Sequence, residues 1–296
     1  MRRDVYGQLA HVLTLPSCAW PHQKLVAKRF RVAVETVCSI YMQEAQLRVK
    51  KTNHLVKNAA SQYARRYQAG AEMLELCAEA DLPPCIFLRR LLESELWLCN
   101  KQAIKKLLND PESANQSHLR HQDLNQEAAQ RILARLKYDI QSCVDCDQVY
   151  SPDADAKRLL IGVEHEHKLN QMLTAAGIAF WTEEDLRNKG FYKTPDAKLQ
   201  VPVAVKGHAV NWIDSKATFG DPRSHVEYVN DQFTKYVNRY GPGMVVYWFG
   251  FVDELQEEDS SLILVDSFPS AEDIVQLPCL NVPDDVMIGP HVVERD

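Results

Sequence analysis

The sequence predicts an α/β fold in which a mixed sheet is flanked by helices and preceded by an all-helical region. Apolar residues recur at helical spacing through residues 1–152, which predicts helices there. From residue 153 onwards, one helix is followed by three short apolar runs, a second helix and a fourth run. The order α-β-β-β-α-β is typical of a mixed sheet with helices packed on it. We therefore expect a helical domain over 1–152, an α/β domain over 153–268 and an acidic tail over 269–296.

Charge is distributed unevenly along the 296 residues. The net charge is −6, yet residues 1–70 contain 12 Lys and Arg against 3 Asp and Glu, so the remainder carries −15. A basic end on an acidic protein is typical of nucleic-acid binding, although a solvated helical face has the same composition. No apolar run reaches the roughly 18 residues needed to span a membrane, and no apolar signal segment opens the chain. We expect a protein of the nucleus and cytoplasm with no membrane partner.

A helix-turn-helix is one interpretation of residues 22–51. A short apolar stripe ends at Phe30, a break follows at Arg31, and a longer helix then runs into basic residues that include Lys50 and Lys51. A short helix, a tight turn and a longer basic helix are the elements with which such motifs bind DNA. Any small helical bundle offers the same pattern. Lys50 and Lys51 are the candidate substrate-binding residues of this interpretation.

Cys143 and Cys146 form a lone C-x-x-C among eight scattered cysteines. A structural zinc site needs four ligands, usually from a second such pair, and the sequence has none. His165 and His167 lie further along the chain as the only further candidates nearby. Ordinary buried thiols are therefore expected, with a zinc or redox role as the alternative.

The chemistry of the chain centres on a predicted β-hairpin. Apolar runs over 199–205 and 208–213 are separated by the two-residue turn Lys206-Gly207, a length typical of hairpins. Asp196 precedes the first run and Asp214 follows the second. Closing the hairpin therefore brings two carboxylates to one point.

Asp214 and Lys216 share one face of the second strand, roughly 6.6 Å apart, while Ser215 points away. Two carboxylates with carbonyl and water oxygens suit Mg²⁺, and Mn²⁺ is the alternative ion. Such an ion polarises a phosphate oxygen and helps to ionise an attacking water, which Lys216 can orient. Taken alone, an Asp-x-Lys pair is more often a structural ion pair. Together with Asp196 it predicts hydrolysis of a phosphodiester.

These motifs resemble the PD-(D/E)xK nuclease superfamily, in which Pro-Asp and D/E-x-K lie on adjoining strands. The matching residues are Pro195-Asp196 and Asp214-Ser215-Lys216. The resemblance implies a restriction-endonuclease-like fold. It also implies a metal ion held by Asp196, Asp214 and the backbone carbonyl of Ser215.

The same resemblance implies a third carboxylate on the helix that precedes the hairpin. In junction-resolving and RecB-like members, a Gly is followed four residues on by Glu and three further on by an apolar residue. Gly162, Glu166 and Leu169 match this spacing. It favours Glu166 as the ligand, because Glu164 would lie on the neighbouring face, where an ion pair with Lys168 is the plain interpretation.

RecB-like nucleases also carry a Gln-x-x-x-Tyr pair, which Gln232 and Tyr236 match on the following helix. Residues four apart share a helical face, and we expect this pair at the edge of the buried stripe. The resemblance implies that Gln232 serves catalysis and that Tyr236 binds substrate; a simple core-edge pair is the alternative. The expected buried stripe comprises Val226, Val229, Phe233, Val237 and Tyr240.

A more specific resemblance is to the codanin-interacting nucleases, a family also known by its T-P-D motif. It implies a Mg²⁺-dependent nuclease fold, a codanin-type protein partner and a location in the nucleus or cytoplasm. Asp214 stands where the family relative carries Glu, and the superfamily accepts either acid. The runs that carry the resemblance are Tyr192-Lys-Thr-Pro-Asp196, Leu199-Gln-Val-Pro-Val-Ala-Val205, Asp214-Ser-Lys-Ala217, Phe219-Gly-Asp221 and Arg239-Tyr-Gly-Pro-Gly243.

The sequence thus predicts a metal-dependent nuclease that acts on nucleic acid, with DNA favoured over RNA. A protein-binding scaffold, in which the Asp196–Lys216 cluster is a structural remnant, is the alternative from another class. A DNA-binding regulator that uses residues 22–51 is a third hypothesis, and it leaves the hairpin carboxylates unexplained. The expected catalytic residues are Glu166, Asp196, Asp214, Lys216 and Gln232.

Overall fold

The computed structural model describes residues 1–13, 23–94, 97, 99–119, 126–257 and 261–276. None of the helices in these ranges is long and apolar enough to cross a membrane. The helices are α1 (Arg3–Leu13), α2 (Gln23–Phe30), α3 (Val34–Gln68), α4 (Met73–Glu79), α5 (Pro84–Leu92), α6 (Lys101–Asn109), α7 (Gln126–Cys146), α8 (Pro152–Ala175), α9 (Glu183–Asn188), α10 (Pro222–Tyr228) and α11 (Thr234–Tyr240). A π-helical turn over Val229–Phe233 joins α10 to α11.

Within the described residues, six strands form one mixed sheet. They are β1 (Phe180–Thr182), β2 (Ala197–Val205), β3 (His208–Lys216), β4 (Gly243–Tyr247), β5 (Leu262–Val265) and β6 (Ile274–Gln276). The order is β1-β2-β3-β4-β5, with antiparallel pairing from β1 to β3 and parallel pairing from β3 to β5. The predicted mixed sheet with flanking helices, and the helical region before it, are confirmed.

Helices cover both faces of the sheet. On one face, Trp212 and Tyr247 are buried in a core that also contains residues of α1, α2 and the start of α3. On the other face, Ile213 packs in a second core with Leu169 and Leu173 of α8. Trp212 and Ile213 are adjacent in β3, and their opposite directions follow from the two-residue period of a strand.

Helix α3 belongs to two cores. Its first half contributes Val37 and Ile40 to the core beneath the sheet. Its second half contributes Ala64 and Tyr67 to a separate core, which it forms with α4, α5, α6 and α7. The helical residues before 152 are therefore divided between two cores, because one continuous helix of 35 residues spans both.

The short helix, the turn and the longer helix that the helix-turn-helix interpretation expects are all present over 23–51. Residue 22 lies outside the described part of the chain. Arg31 makes the turn with a left-handed φ of 55°. Helix α3 then continues to Gln68. Its first turns, which a recognition helix would offer to DNA, bury Val37 and Ile40 beneath the sheet. DNA binding by this segment stays a prediction.

The sheet takes in residues that the sequence assigned to the acidic tail. Strand β6, Ile274–Gln276, pairs antiparallel with residues 203–205 of β2, next to the stretch of β2 that pairs with β1. Residues 277–296 of the expected tail lie outside the described residues. The pairing joins residues far apart in sequence, and three residues alone carry too little pattern to predict it.

Cys143 and Cys146 differ in their exposure to solvent. Cys143 is completely buried in the helical core, whereas Cys146 is exposed near the end of α7. Within the described ranges, no group of three or more His, Cys, Asp or Glu side chains is arranged to hold a metal ion. Cys143 is thus a buried thiol, as expected.

Candidate active site

The β2–β3 hairpin places Asp196 beside Asp214. Lys206 and Gly207 make the predicted two-residue turn, with φ values of 50° and 83° that match a type I′ hairpin. Ala197 pairs with Ile213 in the ladder, and continuing this register puts Asp196 opposite Asp214. The Ser215 backbone N–H donates a hydrogen bond of 2.7 Å to Asp196 Oδ2.

Lys216 is held by three kinds of contact. Its Nζ lies 2.5 Å from Asp214 Oδ2 and donates a hydrogen bond of 2.9 Å to Gln232 Oε1. The ammonium also lies 4.9 Å from the ring centroid of Tyr228 and 5.6 Å from that of Phe233. The predicted pairing of Asp214 with Lys216 on one face is confirmed. Gln232 fixes where the ammonium points.

Ser215 points to the opposite side of the strand, as its position between Asp214 and Lys216 predicts. Its Oγ accepts a hydrogen bond of 2.7 Å from Trp248 Nε1. This contact anchors the strand between the two charged residues and leaves the Ser215 carbonyl as its remaining candidate metal ligand.

Burial and like charge determine the electrostatics of the cluster. Burial, followed by the charge of Asp214, raises the pKa of Asp196 well above its usual range, against the opposing effect of Lys216. Burial alone would lower the pKa of Lys216, but Asp214 and Asp196 outweigh it, and the net pKa is raised. Lys216 is therefore a fixed cation between two acids, rather than a base at neutral pH.

The residues present suit a divalent cation. Asp214 is 2% exposed, and its Oδ2 is paired with the Lys216 ammonium at 2.5 Å. Two carboxylates that share one cation in a water-poor position remain under-compensated. Asp196 and Asp214 supply hard oxygen ligands, and Mg²⁺ commonly completes such a set with waters and substrate phosphate.

Glu166 lies at the edge of the cluster, on α8. Partial burial and then the charges of Glu183 and Asp214 raise its pKa, while Lys216 lowers it. Glu166 is therefore close enough for the charges of Asp214 and Lys216 to act on it, as the spacing from Gly162 predicts. Its assignment as a metal ligand stays a prediction.

Glu183 is a fourth carboxylate near the site that the sequence did not indicate. It opens α9, and its Oε1 accepts a hydrogen bond of 3.3 Å from Thr194 Oγ1. Arg187 lies 2.7 Å from the same oxygen. The capping sequence that begins at Thr182 could have shown where α9 starts, but nothing in the sequence links Glu183 to Glu166 or Thr194.

Tyr236 is more deeply buried than the sequence predicted. It is 4% exposed, its ring packs edge-on against Trp212, and its hydroxyl donates a hydrogen bond of 3.0 Å to the Thr194 carbonyl. The expected edge position is wrong because the π-helical turn shifts the helix register. The same shift leaves Val226 of the expected stripe 50% exposed and buries His225 instead.

Comparisons with known proteins show which family the chain resembles. Residues 133–268, which include Thr194-Pro195-Asp196, match the family described as "Protein of unknown function TPD sequence-motif". Proteins named CDAN1-interacting nuclease 1 are similar over most of their length. The relative from Mus musculus is 35% identical over 288 residues, 92% of this chain and 96% of the relative. The relative from Homo sapiens is 34% identical over 281 residues, 90% and 94% of the two chains.

The chain belongs to the CDAN1-interacting nuclease 1 family. The Danio rerio relative is 38% identical over 250 residues, which cover 79% of this chain and 78% of the relative. No solved structure is significantly similar to the chain.

In this member of the CDAN1-interacting nuclease 1 family, a cavity of about 320 Å³ opens beside the end of β3. It lies between α3, α8 and the end of β3, and one wall contains Lys216. Two residues of α3 hold the loop that follows Lys216: Ser39 Oγ accepts a hydrogen bond of 2.8 Å from the Phe219 N–H, and Gln43 Nε2 donates one of 2.7 Å to the Phe219 carbonyl. The N-terminal helices thus form one wall of the candidate site.

Lys50 and Lys51 lie outside this cluster. Lys50 makes an exposed ion pair of 3.2 Å with Glu227 of α10, and Lys51 is exposed on α3. A lysine ammonium that is already paired with a carboxylate attracts a phosphate more weakly than an unpaired ammonium does. The substrate-binding role predicted for both lysines stays a prediction.

Proposed function

We propose that this protein is a metal-dependent nuclease with a PD-(D/E)xK fold, which hydrolyses phosphodiester bonds in nucleic acid, DNA in preference to RNA. The observation that carries the proposal is the geometry of Asp196, Asp214 and Lys216, in which two carboxylates share one ammonium. The names of the relatives, CDAN1-interacting nuclease 1, support both the activity and a codanin-type partner. We place its action in the nucleus and cytoplasm.

Mg²⁺, or Mn²⁺ in its place, would be held by Asp196, Asp214, the Ser215 carbonyl and Glu166. When bound, the ion supplies charge that stabilises the developing phosphorane and acidifies water. Lys216 places its ammonium where negative charge develops on the phosphate, and Gln232 keeps it there. Tyr236 holds the backbone before Asp196 through the Thr194 carbonyl, which fixes the direction of the carboxylate.

The test is cleavage of a panel of single-stranded, duplex and branched DNA and RNA substrates with and without Mg²⁺. Asp196→Asn and Lys216→Ala should each abolish metal-dependent cleavage, a loss on the order of 10³-fold or more. Asp145→Asn and Lys157→Ala, exposed residues of the same types, are the controls and should retain it. Equal cleavage by wild type and both site variants would show that this cluster is not the active site.

A scaffold function is the second candidate, because the relatives are named for a protein interaction and no described cluster of three ligands is preformed. The two functions differ in metal binding. If the site binds metal, millimolar Mg²⁺ or Mn²⁺ raises the Tm of wild type and leaves Asp196→Asn unchanged, since a ligand of the native state stabilises it. A codanin-type partner that binds without any metal effect would favour the scaffold.

A further inference from the structure

Two lysine ammoniums meet at one backbone carbonyl near the candidate site. Lys193 Nζ and Lys235 Nζ lie 3.4 Å and 2.6 Å from the carbonyl oxygen of Asp231. Contact with Lys193, more than any other neighbour, lowers the pKa of Lys235. The Asp231 carboxylate acts in the opposite direction, but neither ammonium forms an ion pair with it or with another described acid within 4.0 Å. Two like charges are thus held together without an acid to compensate them.

A guanidinium and an exposed aromatic ring extend this positive surface. Arg239 donates a hydrogen bond of 2.9 Å from Nη1 to the Tyr192 carbonyl, and its guanidinium lies 5.2 Å from the Tyr192 ring centroid. Tyr192 is 73% exposed, and the neighbouring Phe191 is 42% exposed. The Arg239 contacts are to a carbonyl and to rings, so its charge too is left without an acid among the described ion pairs.

The surface is fixed to the candidate active site by the backbone. Tyr192 and Lys193 directly precede Thr194, whose carbonyl is held by Tyr236. Lys235 follows three residues after Gln232, the hydrogen-bond partner of Lys216. Lys193 also adopts a left-handed φ of 50°, which is uncommon for a residue with a side chain and is found at functional positions.

We propose that Tyr192, Lys193, Lys235 and Arg239 bind the backbone of single-stranded nucleic acid and lead it to Asp196. The inference rests on the proposed nuclease function and names the form of its substrate. A phosphate between Lys193 and Lys235 would supply the negative charge that both ammoniums lack, and the planar guanidinium of Arg239 suits a second phosphate. The exposed ring of Tyr192 can stack on a base only where that base is unpaired, which selects a single strand over a duplex.

Binding without cleavage tests the inference. The full chain is kept in EDTA, and the fluorescence anisotropy of a labelled single-stranded oligonucleotide and of the matching duplex is measured over a range of salt. The triple variant Lys193→Ala/Lys235→Ala/Arg239→Ala should weaken single-strand binding about 10-fold or more, and should reduce the slope of log K against log salt by about 2. The matched control is Lys101→Ala/Lys105→Ala/Lys106→Ala, three exposed lysines of α6, and it should bind as wild type does.

Two further variants keep the test independent of folding. Lys193→Gln/Lys235→Gln changes only exposed side chains and should weaken binding in the same direction. Tyr192→Ala should weaken binding of the single strand and leave the duplex unchanged. Unaltered affinity and salt slope in the triple variant and in the double Gln variant would overturn the inference, as would equal losses for duplex and single strand.

The outcomes separate this inference from the nuclease proposal. If wild type cleaves in an Asp196-dependent manner but the triple variant binds normally, only the surface assigned to residues 192, 193, 235 and 239 is refuted. Wild type that neither binds nor cleaves any nucleic acid refutes both. Displacement of the oligonucleotide by polyglutamate at equal charge concentration would show a general surface for acidic peptides, and would also overturn the inference.

Discussion

The helical core and the sheet each bury one carboxylate, and the two carboxylates differ in the groups that compensate their charge. Asp147, 3% exposed at the end of the helical core, accepts hydrogen bonds of 2.9, 2.9 and 2.7 Å from the backbone N–H groups of Cys85, Val149 and Tyr150. Asp214, 2% exposed in the sheet, is paired with the Lys216 ammonium at 2.5 Å. Burial alone therefore does not determine how a carboxylate is compensated.

The difference lies in what compensates the charge. Three N–H donors satisfy Asp147 completely within the chain, so it fixes the connection between α5 and the start of α8. Asp214 and Asp196 together carry two negative charges against the single Lys216 ammonium, and a bound cation would balance them. The following predictions test this contrast, from the largest expected effect to the smallest.

Asp147→Ala should lower the free energy of unfolding by about 3 to 5 kcal/mol, because it leaves three buried or half-buried N–H groups without an acceptor. Chemical denaturation measures the loss. The hydrogen bonds of Asp147 go to Cys85, Val149 and Tyr150 and to no residue of the Asp196–Lys216 cluster, so the cleavage rate per folded molecule should not change. A loss below about 1 kcal/mol would show that water replaces the carboxylate.

Lys216→Ala should lower the free energy of unfolding by about 2 to 3 kcal/mol at neutral pH, because Asp214 and Asp196 lose their shared cation. The loss should shrink as the pH is lowered, since protonated acids need no counter-charge. Denaturation at neutral and acid pH measures both values. Lys157→Ala serves as the exposed control, and a loss that does not vary with pH would contradict the prediction.

Asp196→Asn should raise the metal-free stability at neutral pH by about 1 kcal/mol, since Asn keeps an oxygen to accept from Ser215 N–H without the buried charge. The folded protein holds the Asp196 proton to higher pH than the unfolded chain does. Unfolding therefore releases a proton as the pH rises above the ordinary carboxyl range, and wild-type stability falls through that window.

The measurement for Asp196→Asn is the Tm against pH in EDTA, repeated with Mg²⁺. The variant should show a flatter pH profile than wild type, and the metal should stabilise only wild type. A variant that is less stable than wild type at neutral pH in EDTA would show that the acid is compensated within the chain, as Asp147 is.

Tyr236→Phe should have the smallest effect, about 0.5 to 1 kcal/mol on unfolding, because one hydrogen bond to the Thr194 carbonyl is lost while the ring packing on Trp212 remains. As a positioning residue, Tyr236 should affect kcat more than KM, and steady-state kinetics separate the two. A change confined to KM would instead support the predicted contact with substrate.

Local periodicity was sufficient to predict much of the site. The two-residue turn at Lys206-Gly207, the shared face of Asp214 and Lys216, and the outward direction of Ser215 all follow from strand geometry. The position of Glu166 near the hairpin followed from a resemblance in spacing. These features depend on neighbours within a few residues or on one strand pair.

The remaining features depend on contacts that no local pattern encodes. The π-helical turn alters the register between Val226 and Tyr236, and its extra residue has no signal in hydrophobic spacing. Glu183 reaches the site through Thr194, and β6 completes the edge of β2, both through tertiary contacts alone. The sequence also did not predict that α3 is divided between two cores, because both halves show ordinary helical periodicity.

Helix α3 has a mechanical consequence for the molecule. Its 35 residues make a rod about 52 Å long, with one end inside the helical core at Tyr67 and the other against the sheet at Val37. Ser39 and Gln43, near the second end, hold the loop behind Lys216. A displacement of the helical core along α3 would therefore reach the loop that follows Lys216, about 52 Å of helix away from Tyr67 at most.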